Sequence, residues 1–182
     1  MTIALFGGSF DPPHIGHEKI VNKVLLELND IEKLIIMPTF LNPFKTKFDF
    51  KPQERYNLMT ELFQQNKFID VLNFEIKQNK PVATIDTINY LKKIYKAKKI
   101  YLIIGSDNLK SLDKWKDFQI LKRSVEFIVI TRKQYEVKND IIEFKIINMD
   151  IDISSSNLRE THNINYIPIK IQQKVKQIWN KE

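Results

Sequence analysis

Cysteine is absent from this chain of 182 residues. Its absence excludes disulfide bonds, thiolate zinc sites and cysteine nucleophiles. No segment approaches the roughly 18 consecutive apolar residues of a membrane-spanning helix, and the first residues lack the pattern of a secretory signal. We therefore expect a soluble, cytoplasmic protein that does not act at a membrane.

Arginine is also scarce, since 25 of the 29 basic residues are lysine and the net charge is +7. Proteins that read nucleic acids favour arginine for forked contacts to bases and phosphates. The lysines are spread along the chain, which favours a solvated basic surface over a patch that binds a polyanion. We expect an anionic small substrate and no nucleic acid as partner, and the sequence makes no prediction of the oligomeric state.

The length fits a single domain over residues 1–182, because domains contain about 150 residues. Short apolar segments alternate with segments of helical spacing, which is typical of a parallel sheet covered by helices. Strands are predicted at Ile3–Phe6, Leu34–Met37, Phe68–Phe74, Lys99–Ile104, Val125–Thr131 and Glu143–Ile147. Helices are predicted at Ile15–Leu28, Gln53–Gln65, Ile85–Tyr95, Asn108–Leu121 (whole or broken), Ser154–Glu160 and Ile169–Asn180. The predicted fold class is α/β, with a single Rossmann-like, doubly wound parallel sheet and helices on both faces.

Ligands of doubly wound folds bind beyond the carboxyl ends of the strands. Four segments follow the ends of predicted strands, namely Gly7–His17, Thr39–Lys51, Gly105–Asp107 and Thr131–Lys133. We expect these four segments to converge on one site.

Glycine and histidine are rare, with 4 and 3 residues, yet three glycines and two histidines fall within residues 7–17. This segment reads Gly-Gly-Ser-Phe-Asp-Pro-Pro-His-Ile-Gly-His and joins the first strand to the first helix. Glycines after a strand let the backbone approach an anion, and the helix start offers N–H groups to it. The segment matches neither a dinucleotide fingerprint nor a Walker loop. Its imidazoles, His14 and His17, can donate to phosphate oxygens and stabilise a phosphoryl-transfer transition state.

Two other interpretations of these histidines stay open. The segment could be a tight turn with two surface histidines. It could also be a His-x-x-His metal site, although it offers no clear third ligand beyond Asp11.

A second segment near the end of the chain reads Ile153-Ser154-Ser155-Ser156-Asn157-Leu158-Arg159. Hydroxyls at a helix start cap its free N–H groups, and the same end can hold a phosphate. Arg159 adds a positive charge one turn later. The alternative is a plain helix cap followed by a surface arginine.

A third segment, Gly105-Ser106-Asp107-Asn108, follows a predicted strand and precedes Trp115 by several residues. A glycine there lets a ligand lie against the backbone, and Asp107 can accept from sugar hydroxyls. Trp115 can stack on a planar ring, although a tryptophan is also an ordinary core residue.

Residues 7–17 resemble the nucleotidyltransferase superfamily, whose mark is His/Thr-x-Gly-His after the first strand. The full motif is similar to that of the nicotinate-nucleotide adenylyltransferase family, and Ile153–Arg159 resembles the family's Ile-Ser-Ser/Thr-x-x-Arg motif. His14–His17 also reads as the motif of class I aminoacyl-tRNA synthetases. The resemblance implies a single nucleotidyltransferase domain over 1–182.

The resemblance also implies roles for individual residues. Catalytic roles fall on His14, His17 and Arg159. ATP-binding roles fall on Gly7, Gly8, Ser9, Phe10, Gly16, Lys45, Gly105, Asp107, Arg132, Ile153, Ser154, Ser155 and Ser156. Roles in binding the second substrate fall on Thr84, Asn108 and Trp115. No residue is assigned as a metal ligand, and Mg²⁺ is expected to enter with ATP.

The chain departs from the family pattern at several positions. Phe44 replaces the histidine of a Pro-Pro-His-Lys loop and Asn42 replaces its first proline, whereas Lys45 is kept. Val82 and Ala83 replace the first two residues of a Ser-Tyr-Thr element, which bears on selectivity for the pyridine group. Weaker matches are Arg55 and Arg132.

The implied reaction is adenylyl transfer from ATP to nicotinate mononucleotide, giving nicotinate adenine dinucleotide and pyrophosphate in NAD biosynthesis. It proceeds by direct in-line attack without a covalent intermediate. Rival acceptors are nicotinamide mononucleotide, phosphopantetheine and FMN. Different classes of function also stay open: an RNA-binding module related to the synthetases, whose Lys-Met-Ser-Lys-Ser loop is absent here, and a nucleotide sensor without chemistry.

Overall fold

A computed structural model of the chain describes residues 1–43, 45–131, 137, 140–149 and 153–180. The described residues form a six-stranded sheet in the order β3-β2-β1-β4-β5-β6, with every pairing parallel. The strands are β1 Thr2–Gly8, β2 Lys33–Pro38, β3 Ile69–Val71, β4 Lys99–Gly105, β5 Glu126–Ile130 and β6 Phe144–Ile147. The predicted fold class is confirmed.

Helices connect the strands and cover both faces of the sheet. They are α1 Ile15–Glu27, α2 Pro52–Phe63, α3 Phe74–Lys77, α4 Thr84–Tyr95, α5 Phe118–Ser124, α6 Ser155–Thr161 and α7 Gln172–Trp179. Three segments of 3₁₀ helix lie at Ser106–Lys114, Ile164–Tyr166 and Ile169–Ile171. Within the described part of the chain, no helix is long and apolar enough to cross a membrane.

Two apolar cores, one on each face, follow from the alternation of side chains along each strand. Ala4 and Phe6 of β1 pack with α1, α2 and α7, whereas Ile3 and Leu5 pack with α4 and α5. The strand order reverses between β1 and β4, so the chain leaves their carboxyl ends toward opposite faces. That crevice is where doubly wound folds bind ligands.

The structure corrects one predicted strand. The strand expected over Phe68–Phe74 is limited to Ile69–Val71, because β3 is an edge strand and pairs with β2 over those residues alone. Phe74 instead begins α3, where its ring stacks on Tyr90 of α4 with a centroid distance of 3.9 Å.

Two predicted helices are broken or shortened. The segment Asn108–Leu121 divides into 3₁₀ helix Ser106–Lys114 and α5, separated by Asp117, which has a left-handed backbone with φ 52°. The helix expected over Ile169–Asn180 begins with a 3₁₀ turn before α7.

Candidate active site

The segment after β1 is compact because aromatic packing holds it. Phe10 has a left-handed backbone with φ 49° and a buried ring, which packs edge to face on Phe6 and on His17 at centroid distances of 5.4 and 4.9 Å. A Cβ added at Gly8 would lie 3.0 Å from the Phe10 ring, so only glycine fits there without displacement. The side chain of Phe10, expected at the ATP site, therefore supports His17 from the core.

His14 and His17 lie together at the start of α1, and both are buried. Their rings stack with a centroid distance of 3.7 Å and an interplanar angle of 26°. The His14 backbone N–H donates to Nδ1 of His17 at 3.1 Å. Since Nδ1 accepts this bond, the neutral His17 ring carries its proton on Nε2 and can act as a donor through that nitrogen. Gly16, between them, is buried within the first turn.

Asp11 ties this segment to the loop between β2 and α2. Its carboxylate is buried and accepts from the backbone N–H groups of Asp49 at 3.2 Å and Phe50 at 2.8 Å. The spacing of the sequence placed Asp11 near the histidines, and the structure assigns it the role of a bridge between two loops.

Arg55, on the buried face of α2, joins the same two loops. Arg55 is 1% exposed, and its guanidinium donates to the carbonyl oxygens of Ser9, Phe40 and Phe50 at distances of 2.5 to 3.0 Å. Burial lowers the pKa of this guanidinium from its usual value, whereas the negative charge of Asp11 raises it. Arginine remains charged under these conditions, so a buried positive charge lies beneath the converging loops.

The segment Ile153–Arg159, which leads into α6, contacts the segment after β1 from the other end of the chain. Arg159 donates through Nη1 to the Asp11 carbonyl at 2.7 Å and through Nη2 to the Ser156 hydroxyl at 3.1 Å. Its Nε lies 2.6 Å from Oδ2 of Asp49. Ser155 donates to the Pro12 carbonyl at 3.0 Å. The two motifs at opposite ends of the chain therefore touch directly.

The other residues of the α6 segment have local roles. Ser154 is the helix N-cap, and its hydroxyl accepts from the Asn157 N–H at 3.2 Å. Ile153 packs against the core on the α1 side of the sheet.

A cavity of about 500 Å³ lies between these loops. Its lining residues are mostly charged or hydroxylated, namely Asp11, Lys45, Thr46, Lys47, Asp49, Ser156, Arg159 and Glu160. Burial lowers the pKa of the Lys45 ammonium, and the charge of Arg159 lowers it further, whereas Asp11 and Asp49 oppose the shift. The lining thus combines three cationic side chains (Lys45, Lys47 and Arg159) with three carboxylates (Asp11, Asp49 and Glu160).

The segment after β4 holds the third group of predicted residues. Gly105 ends the strand, and the side chain of Asn108 donates to the Gly105 carbonyl at 3.3 Å. Ser106 is buried and Asp107 partly so. Trp115 packs against the core on the α4 side, and its indole N–H is buried with no acceptor among the described residues.

Thr84 begins α4, next to a buried polar pair that the sequence did not reveal. Glu75 of α3 is buried, and it accepts from the Thr87 hydroxyl at 2.6 Å. Burial raises the pKa of this carboxyl to about 7. The pair links α3 to the first turn of α4, the turn that Thr84 begins.

The sequence analysis singled out Arg55, whereas it found neither Glu75 nor Asp49. Arg55 shares the buried face of α2 with Leu58, Met59 and Leu62, so a charge sits on an otherwise apolar stripe. Glu75 and Asp49 lie in short or irregular segments. No helical or strand periodicity of the sequence therefore points to them. Arg132, predicted to bind ATP, lies outside the described residues, as does Phe44.

The described residues contain no group of three or more His, Asp or Glu side chains that could hold a metal ion. The carboxylate of Asp11 bonds backbone amides and that of Asp49 pairs with Arg159.

Comparison with known proteins shows the family. The cytidylyltransferase-like family model matches residues 5–161. The chain is 45% identical over 175 residues to a protein of Aliarcobacter butzleri (strain RM4018) named "probable nicotinate-nucleotide adenylyltransferase", covering 96% of this chain and 95% of the relative. It is 42% identical over 181 residues to a protein of the same name from Campylobacter jejuni (strain 81116), covering 100% and 98% of the two chains.

A solved structure has the same fold. The chain superposes with a TM-score of 0.77 and 22% identity on Plasmodium falciparum nicotinic acid mononucleotide adenylyltransferase complexed with NaAD, covering 97% of this chain and 95% of that one. The same enzyme complexed with APC matches equally well. With these relatives and with both terminal motifs in contact, the chain belongs to the cytidylyltransferase-like family and, within it, to the nicotinate-nucleotide adenylyltransferases.

Proposed function

We propose that this chain transfers the adenylyl group of ATP to nicotinate mononucleotide, forming nicotinate adenine dinucleotide and pyrophosphate. The observation that carries the proposal is the contact between the two terminal motifs, in which Arg159 donates to the Asp11 carbonyl and Ser155 to the Pro12 carbonyl. This contact holds Arg159 of one motif against the segment that contains both histidines of the other. The relatives' names and the NaAD bound by the Plasmodium enzyme support this choice of substrates.

The reaction needs no general base. The second pKa of a phosphate monoester is about 6, so the phosphate of the mononucleotide is already a deprotonated nucleophile at neutral pH. Its oxygen attacks the α-phosphorus in line, the bond to the β-phosphate oxygen breaks, and pyrophosphate leaves. Catalysis then consists of positioning the two substrates and stabilising negative charge.

Donors for that charge come from three parts of the chain. His17 offers Nε2–H, His14 stacks against it, and the backbone at the carboxyl end of β1 would approach the phosphates at Gly7 and Gly8. Lys45 and Arg159 offer cations to the triphosphate from the cavity. Preorganised donors of this kind contribute about 3 to 4 kcal/mol each to transition-state stabilisation.

Mg²⁺ is expected to enter with ATP. Phosphate oxygens and water supply the octahedral oxygen ligands that Mg²⁺ prefers. Because the Asp11 carboxylate already accepts from two backbone N–H groups, we do not expect it to be a direct ligand.

The second substrate is expected on the side of β4 and α4. Thr84 at the start of α4, Asn108 and Trp115 would contact the mononucleotide, with the Trp115 indole N–H as a donor. The cytoplasmic location expected from the sequence stays a prediction.

Pyrophosphate release from ATP and Mg²⁺ tests the proposal, with nicotinate and nicotinamide mononucleotides, phosphopantetheine and FMN offered as separate acceptors. Strong release with nicotinate mononucleotide alone is the expected result. Equal rates with both pyridine nucleotides would mean that Val82 and Ala83 relax selectivity. Absence of release with every acceptor would contradict the proposal and favour a binding module, which a salt titration against RNA would test.

A further inference from the structure

We infer that Asp49 sets the affinity of the site for ATP, because its carboxylate occupies Arg159 and must give way to a phosphate. Oδ2 of Asp49 lies 2.6 Å from Nε of Arg159, inside the cavity that also holds Lys45. The inference rests on the proposed function, since it takes this cavity as the place of the ATP phosphates. Asp49 is thus an internal competitor of the substrate.

Competition explains the geometry better than positioning does. Arg159 is already held by two other bonds, from Nη1 to the Asp11 carbonyl and from Nη2 to the Ser156 hydroxyl. These two bonds orient the guanidinium plane without Asp49. The carboxylate therefore adds negative charge to a site for a polyanion and contributes no orientation that Arg159 lacks.

The position of Asp49 also allows its side chain to move without the loop. Its backbone N–H donates to the buried carboxylate of Asp11 at 3.2 Å, which anchors the main chain. The side chains of Asp49 and Arg159 are 33% and 22% exposed, so the pair is only partly shielded from water. A rotation of the Asp49 side chain would release Nε of Arg159, whereas Asp11 keeps the loop in place.

The test is titration of the protein with inorganic tripolyphosphate and with ATP, by calorimetry, for the wild type and for Asp49→Asn. Loss of a partly exposed ion pair and of a repulsive charge is expected to tighten binding of both probes about three- to tenfold. Pyrophosphate is expected to inhibit Asp49→Asn at correspondingly lower concentrations. Unchanged or weaker binding of tripolyphosphate by Asp49→Asn would overturn the inference.

Two controls separate the ion pair from other effects. Glu160→Gln removes an acidic side chain from the same cavity, and it is expected to tighten binding less than Asp49→Asn does. In an Arg159→Gln background, Asp49→Asn is expected to have less than half its effect on affinity. Equal tightening by Glu160→Gln, or an undiminished effect in the Arg159→Gln background, would show that the ion pair is not the cause.

The result is independent of the adenylyl transfer assay. A wild type that binds tripolyphosphate but forms no dinucleotide would contradict the proposed function alone. A wild type that forms dinucleotide but fails to bind tripolyphosphate would contradict this inference alone. If Asp49→Asn does not fold, Asp49→Ser takes its place, because the backbone bond to Asp11 is kept in both variants.

Discussion

The imidazole rings of His14 and His17 stack at 3.7 Å, and the backbone N–H of the first donates to Nδ1 of the second. The bond fixes the tautomer of His17 and directs its ring proton to Nε2. One interaction thus caps the first turn of α1 and orients the Nε2–H that we propose donates to phosphate.

Substitutions at His17 can separate these two roles. The amide oxygen of His17→Asn can replace Nδ1 as the acceptor but leaves no donor at the position of Nε2. The amide nitrogen of His17→Gln falls near Nε2 instead. We expect kcat to fall by roughly 100- to 1000-fold in His17→Asn and by less in His17→Gln, measured as pyrophosphate release.

The opposite order of activity would mean that His17 acts mainly as a helix cap. His162→Asn is the matched control, since His162 lies at the end of α6 in a left-handed conformation that asparagine tolerates. We expect near wild-type kcat from that variant.

Arg55→Lys is expected to lower the free energy of unfolding by about 1 to 3 kcal/mol and to raise KM for ATP. A lysine cannot bond the carbonyls of Ser9, Phe40 and Phe50 together, so buried acceptors lose their donors. Urea denaturation and steady-state kinetics measure the two effects. The control is Arg123→Lys on α5, an exposed position where both quantities should hardly change.

If Arg55→Lys changed stability but left KM and kcat intact, Arg55 would be a structural residue rather than a positioning residue of the site.

Gly8→Ala is expected to destabilise the fold by about 1 to 3 kcal/mol, because the new Cβ would lie 3.0 Å from the buried Phe10 ring. Gly7→Ala provides the comparison within the same strand, since its Cβ would meet only the Met37 carbonyl at 3.9 Å. We expect Gly7→Ala to change the free energy of unfolding by less than about 1 kcal/mol. Equal costs at the two positions, measured by urea denaturation, would argue against the packing described for Phe10.

Glu75 is expected to make the protein less stable as pH rises from 4.5 to about 7. In this range the unfolded chain has released the proton at its ordinary pKa, whereas the folded chain still holds it because burial raises the pKa to about 7. The folded state binds more protons, so the free energy of unfolding decreases with pH, by up to about 3 kcal/mol in total.

The variant Glu75→Gln should flatten this dependence, seen as a smaller stability difference between pH 5 and pH 8 in urea denaturation. The exposed Glu143→Gln is the control and should keep the wild-type slope. A slope unchanged by Glu75→Gln would show that other groups carry the pH dependence.

The sequence alone determined the fold class and the family, because both depend on local patterns. Apolar runs such as Leu34–Met37, each followed by a segment with helical spacing, predict a parallel sheet without any tertiary information. The two terminal motifs are contiguous in sequence, so their residue types and spacing could be recognised without coordinates. The predicted boundaries of β3 were wrong. Pairing at a sheet edge and the stacking of Phe74 on Tyr90 determine where this strand ends.

The tertiary structure alone decided how the site is held together. The bonds from Arg159 to Asp11 and from Arg55 to Ser9 join residues 148 and 46 positions apart, and no local period encodes such distances. The Asp49–Arg159 pair and the buried Glu75–Thr87 bond likewise exist only because folding brings these groups together. Local sequence patterns thus predicted the kind of chemistry, and long-range contacts determined which charges act together.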